Sequence, residues 1–177
     1  MDRLVNTTAL YVGSFDPITK GHLDVLGKAL KTFDTVYVAI GQNPKKTRMF
    51  GIEESKHLIE QSIKDCEHVG VYEAFQKGRV HITDYVGMSI IKYANSVGAT
   101  HIVRGLRQAG DFNDEFALTG TAGRLNSEVC FTHFICQERF LHVSSSTARE
   151  LAYLNEDTSW LVTRSVERAL RMKIRGY

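Results

Sequence analysis

Five short apolar runs, at residues 9–12, 36–40, 69–72, 101–103 and 131–135, alternate with helical patterns at 22–32, 52–64, 86–97 and 111–125. Strands joined by segments of helix length pair in parallel, because a parallel connection has to cross the sheet and a helix makes that crossing. We therefore expect an α/β fold, a parallel sheet covered by helices on both faces. At 177 residues the chain is most economically one domain, residues 1–177, with a core that needs neither disulfides nor metal. Cys66, Cys130 and Cys136 are odd in number and contain no C-x-x-C pair, which argues against both a disulfide framework and a zinc site. After residue 146 the pattern is helical again, with Ala148, Leu151 and Ala152 on one face, and a C-terminal helix is expected near 165–173.

In an open parallel sheet, ligands bind beyond the carboxyl ends of the strands, where loops distant in sequence converge. The first such loop is the most informative. The apolar run ending at Val12 meets Gly13, which permits a tight turn; Ser14 follows, and Thr19 can cap a helix continuing through Leu23, Leu26 and Leu30. His22 then falls in that helix's first turn, where free backbone N–H groups and the positive end of the macrodipole favour an anion. A phosphate suits this junction. Taken alone, His22 could equally be a solvated or capping residue and Ser14 a plain turn serine.

Thr19-Lys20-Gly21-His22 resembles the Thr/His-x-Gly-His signature of the nucleotidyltransferase superfamily. Three later segments narrow the resemblance to the bacterial phosphopantetheine adenylyltransferases: Asn43-Pro44-Lys45-Lys46 with Met49-Phe50; Arg104-Gly105-Leu106-Arg107 with Asp111-Phe112 and Glu115; and Val143-Ser144-Ser145-Ser146 with Arg149-Glu150. The match runs over roughly residues 8–171, and ordered motifs are far more specific than a lone glycine loop. The resemblance implies a Rossmann-like fold and transfer of the adenylyl group of ATP to 4′-phosphopantetheine, giving dephospho-coenzyme A and pyrophosphate.

Such a reaction asks for two substrates held in line and for donors placed where charge develops on the α-phosphate. His22, Lys46 and Arg104 are the catalytic candidates. By resemblance His22 stabilises the transition state, Lys46 contacts the acceptor phosphate and the reacting centre, and Arg104 faces the acceptor 4′-phosphate. The ATP site is expected from Ser14, Phe15, His22, Gly105, Leu106, Arg107, Glu115 and the stretch Phe140, Leu141, His142, Val143, Ser144, Ser145 and Ser146. The acceptor site is expected from Ser14, Lys46, Ile90 and Arg104. Arginine forks bind phosphate bidentately, although Arg104 and Arg107 could also bridge to Asp111 or Glu115. Mg²⁺ is expected on the phosphates of ATP rather than in a protein cage.

Two departures from the family pattern fall on the acceptor side. Residues 72–84 make the connection before the helix near Val86 longer than is usual, and an extra hairpin there would reshape the pocket. Thr121-Ala122 stands where the family has a Met-Asn pair, and alanine cannot make an asparagine's amide hydrogen bonds. These departures motivate an alternative phosphorylated acceptor, nicotinamide or nicotinate mononucleotide. An alternative of another class is a nucleotide-binding regulatory protein without turnover.

The formal net charge of +2 gives no reason to propose nucleic-acid or membrane binding. Residues 1–8 carry no long apolar segment, so a cytoplasmic location is expected. The resemblance also implies a homo-oligomer, typically a hexamer.

Overall fold

The structure is a computed structural model and describes residues 7–42, 47–123 and 128–176. Alternation along the first strand, β1 (Thr8–Gly13), divides the core in two. Ala9 and Tyr11 face one side of the sheet and Leu10 and Val12 the other, all of them buried. On the first side lie α1 (Lys20–Thr32), α2 (Ile52–Asp65), α3 (Val69–Gln76), α6 (Ser145–Tyr153) and α7 (Arg164–Arg175). On the second, α4 (Ile90–Ser96) buries Ile91 and Ala94 against Leu10, Ala39 and Ile102.

The remaining strands are β2 (Thr35–Gly41), β3 (Val80–Tyr85), β4 (His101–Leu106) and β5 (Cys130–Ile135), and α5 (Ala109–Gly123) follows β4. The sheet order is β3-β2-β1-β4-β5 with every pairing parallel. Chain direction across the sheet reverses between β1 and β4. A crevice opens at that switch point, because the connections leave β1 and β4 on opposite faces.

The run at 69–72 is not a strand, and residues 72–84 do not form a hairpin. Val71 and Ala74 are buried three residues apart, with Phe75 packed beside them, so the apolar period is that of the helix α3. The third strand is β3, which pairs Val80 with Val36 and continues to Tyr85 opposite Gly41. The expected helix at 86–97 begins only at Ile90, after Gly87 at φ 69° and a cap in which the Ser89 side chain accepts from Lys92 N–H. The C-terminal helix is longer than the 165–173 expected. Its start is capped by Asp65, whose carboxylate accepts from Ser165 N at 3.0 Å.

The α3–β3 connection contributes one strong tie. Arg79 donates from Nε to the carbonyl of Asp34 at 2.8 Å, and from Nη2 to those of Leu30 and Phe33, both at 2.8 Å. These carbonyls close the C-terminal end of α1, where no further helical N–H is available. Arg79→Ala is expected to cost about 2 kcal/mol, since carbonyls lose a charged donor. Thermal or urea unfolding checks it, and an unchanged midpoint would show that water replaces the guanidinium without loss.

Candidate active site

A cavity of about 550 Å³ occupies the switch point. Its wall is built from the end of β1 (Val12, Gly13, Ser14), the start of α1 (Thr19, Gly21, His22), the end of β4 (Arg104, Gly105, Arg107), and Val143 with Ser144–Ser146. A second cavity, about 540 Å³, lies against the other face of α1 at Lys20, Leu23 and Asp24 and is lined by no residue of β1 or β4. We assign the candidate site to the first, which, unlike the second, joins a helix start and arginines to the ends of β1 and β4.

Thr19 is the N-cap of α1, and its hydroxyl accepts from His22 N at 3.3 Å. The His22 ring reciprocates, since Nδ1 accepts from Thr19 N at 3.0 Å. This box decides the tautomer: with Nδ1 accepting, the neutral ring carries its proton on Nε2, which remains as a donor on a residue lining the cavity. Phe15 supports the ring edge-on at 5.0 Å between centroids. Burial, followed by the positive charges of Arg107 and Arg104, lowers the His22 pKa from 6.5 to about 3. His22 is thus a neutral hydrogen-bond donor rather than an acid.

A depressed histidine pKa means that the unfolded chain takes up a proton first. His22 therefore contributes stability above pH 6.5 that is lost as pH falls from 6.5 toward 3. In the ligand-free protein, the His22 ring nitrogens are expected to keep the Nε2–H pattern in ¹⁵N NMR from pH 8 to about 5. A titration midpoint near 6.5 would contradict this reading.

Close approach sets the floor. A Cβ on Gly105 would sit 2.9 Å from a Val25 methyl, so only glycine lets β4 end this near to α1. Arg104 then forms a fork on the buried Glu115, with Nε 2.8 Å from both carboxylate oxygens and Nη2 2.5 Å from Oε1, while Nη1 donates to Val12 O at 2.8 Å. Arg107 is held by Asp111 and donates to Val143 O at 3.1 Å. Burial pushes the Asp111 carboxyl up, but the hydrogen bonds and charge of Arg107 outweigh it and leave the group below its ordinary value. Both bridges foreseen as alternatives are present, and each leaves part of its guanidinium uncommitted.

Ser144 caps α6, its hydroxyl accepting from Thr147 N at 3.0 Å. Ser145 is turned away, donating to Pro17 O at 2.7 Å, and the Ser146 hydroxyl lies 2.9 Å from that of Ser144. The triplet's contribution to a ligand therefore comes from the start of α6 and from Ser146 more than from Ser145 Oγ.

Ser14, His22, Arg104, Gly105, Arg107, Glu115, Val143, Ser144, Ser145 and Ser146 meet at this cavity. Phe15, Leu106, Phe140, Leu141, His142 and Ile90 are not among its lining residues. Phe15 is fully buried, Phe140 lines the second cavity, and His142 is exposed. Leu141 packs on the core, and Ile90 packs against the cluster around Leu10 and Ile102. Lys46 and the side chain of Ala122 lie outside the described residues. The sequence reading missed Tyr11, Val25 and Cys136, which line the cavity as apolar or neutral residues and carry no signal of binding.

Asp111 and Glu115 are committed to arginines, and no group of three His, Cys, Asp or Glu able to hold a metal occurs among the described residues. The donor set does not build a cation cage. No helix among the described residues is long and apolar enough to cross a membrane.

Residues 10–151 match the cytidylyltransferase-like family. Curated phosphopantetheine adenylyltransferases from Roseiflexus sp. (strain RS-1) and Roseiflexus castenholzii are 39% and 38% identical over 165 residues, 93% of this chain and 96% of each relative. The solved Plasmodium falciparum nicotinic acid mononucleotide adenylyltransferase, complexed with NaAD, superposes with a TM-score of 0.63 at 17% identity, covering 96% of both chains. At that identity the likeness shows the fold alone. The family match and the similarity to these curated relatives over nearly the whole chain show its family: the chain belongs to the cytidylyltransferase-like family, in its phosphopantetheine adenylyltransferase branch.

Proposed function

We propose that this protein joins the adenylyl group of ATP to the phosphate of 4′-phosphopantetheine, producing dephospho-coenzyme A and pyrophosphate. The observation that carries the chemistry is the neutral His22, fixed as an Nε2–H donor beside Arg104 and Arg107 at one cavity. The acceptor is supported by the curated relatives.

An acceptor phosphate oxygen attacks the α-phosphorus of ATP; the new O–P bond forms as the bond from the α-phosphorus to the bridging oxygen breaks, and pyrophosphate leaves with that electron pair. The protein's task is positioning and electrostatics. His22 Nε2–H donates to an α-phosphate oxygen as its charge grows. Arg107 and the α6 start, with Ser144 and Ser146, hold the leaving phosphates, while Arg104 and Ser14 receive the acceptor phosphate. Glu115 acts by holding Arg104 in place. Lys46 is assigned by resemblance to the reacting phosphates. Mg²⁺ would be held by ATP rather than by a protein cage, and would supply charge neutralisation there. A single domain, argued from chain length, a cytoplasmic location, argued from composition, and a homo-oligomer, implied by the resemblance, belong to the same proposal.

Part of the case for a different acceptor is removed by α3 and β3. The extra residues build a core helix and the sheet's edge strand, and none of them lines the cavity. Pyrophosphate release should be measured with 4′-phosphopantetheine, nicotinamide mononucleotide and nicotinate mononucleotide in parallel. Turnover with the first is expected; turnover only with a pyridine mononucleotide would overturn the acceptor, and silence with all of them the enzymatic reading.

A further inference from the structure

We propose that Arg48 is a positioning residue for the β1–α1 phosphate loop. Its Nη2 donates to Ser14 O at 2.9 Å and to Ser55 Oγ at 2.9 Å, while Nε donates to Phe50 O at 3.1 Å. One planar fork thus ties the loop before α2, α2 itself and the turn after β1. Ser55 is completely buried, so one end of the tie is fixed in the core.

The Ser14–Phe15 peptide is the part that matters. In a trans peptide the C=O and the following N–H point in opposite directions. Arg48, which does not line the catalytic cavity, holds the Ser14 carbonyl and thereby sets the direction of the Phe15 N–H. Phe15 has φ 43°, in the left-handed region that a bulky residue rarely occupies and that persists only when its surroundings fix it. Its side chain is fully buried and its ring supports His22 edge-on. Arg48 therefore fixes the Ser14–Phe15 peptide plane directly, and through the Phe15 ring it fixes the His22 ring and its one donor.

A second tie runs in parallel. Asp16 accepts from Met49 N at 3.0 Å and from Phe50 N at 2.9 Å, and its own carbonyl accepts from Arg149 on α6. Asp16 fixes where the two loops meet, and Arg48 fixes the peptide plane of the turn. Lys46 precedes Arg48 by two positions in sequence. Lysine cannot substitute for the fork, because a point charge does not hold three oxygens in one plane.

This inference rests on the proposed adenylyl transfer, and wild-type turnover in the same assay separates the two. Arg48→Met is expected to lower kcat by roughly 10- to 100-fold, the scale of a small misplacement of reacting groups, with the ATP dissociation constant changed by less than about 3-fold. Arg48→Lys is expected to fall with it, and Ser55→Ala to lie between the wild type and these variants. In Arg48→Ala, added guanidinium ion is expected to recover part of kcat, whereas methylammonium is not. Wild-type kcat and KM in Arg48→Met would overturn the proposal. So would loss of activity that follows loss of thermal stability and is not recovered by guanidinium, since that outcome marks a purely structural role. An inactive wild type would instead overturn the adenylyl-transfer reading.

Discussion

Replacing His22 by alanine is expected to lower kcat by about 10³-fold while changing ATP affinity by less than about 3-fold, the pattern for a donor whose bond strengthens as charge develops. The ring makes two separable contributions. Nδ1 accepts the Thr19 N–H and closes the cap of α1, and Nε2–H is the donor left for the ligand. Alanine removes both and should also cost about 1 kcal/mol of stability through the lost cap. Glutamine at the same position keeps an acceptor for the N-cap N–H, as in an ordinary capping box, but cannot reproduce the Nε2 donor. His22→Gln is thus expected to match wild type in thermal stability and alanine in kcat. Equal kcat in wild type and His22→Gln would remove His22 from the chemistry and leave it a cap.

Arg104→Met carries the second large effect, and it has two parts. Loss of the guanidinium should reduce kcat/KM for the phosphorylated acceptor by about 10²-fold, because charged hydrogen bonds to phosphate are worth roughly 1.5–3 kcal/mol. It also strands Glu115, whose side chain is 9% exposed against 26% for Arg104. An uncompensated buried carboxylate costs several kcal/mol, reduced here to about 2–3 by the partial exposure of its partner. Adding Glu115→Leu should recover most of the stability and none of the acceptor binding. Chemical denaturation and steady-state kinetics on the single and double variants separate the terms, and recovery of activity in the double variant would show that Arg104 serves the fold alone.

The apolar β-run and the Thr19 cap were legible in the sequence because each is a local rule: apolar burial, and a side-chain acceptor three residues before an N–H. Gly13, expected at a tight turn, instead ends β1, and a Cβ there would sit 2.9 Å from the Phe15 ring. Arg104 and Arg107 were legible for a related reason, since they stand on either side of Gly105-Leu106 at the end of an apolar run, which is the end of β4. Tertiary packing decided what the local rules could not. Val69-Gly70-Val71-Tyr72 looks like a strand from β-branched content, yet Val71 and Ala74 both reach the core only as a helix. Glu115 reads in sequence either as an ATP-site carboxylate or as a bridge to Arg104 or Arg107; its pairing with Arg104 is decided only when α5 is folded back on β4. Arg48 sits among loop cations and looks solvated, and its grip on Ser14 spans 34 positions that no periodicity connects.

Attack at the α-phosphorus is most directly tested with ATP carrying ¹⁸O in the non-bridging positions of its α-phosphate, wild-type protein and 4′-phosphopantetheine, with both products weighed by mass spectrometry. The expected result is labelled dephospho-coenzyme A and unlabelled pyrophosphate. A product heavier by a single phosphoryl group, or label retained in ADP, would mean transfer from the γ-phosphorus and would contradict adenylyl transfer at this site.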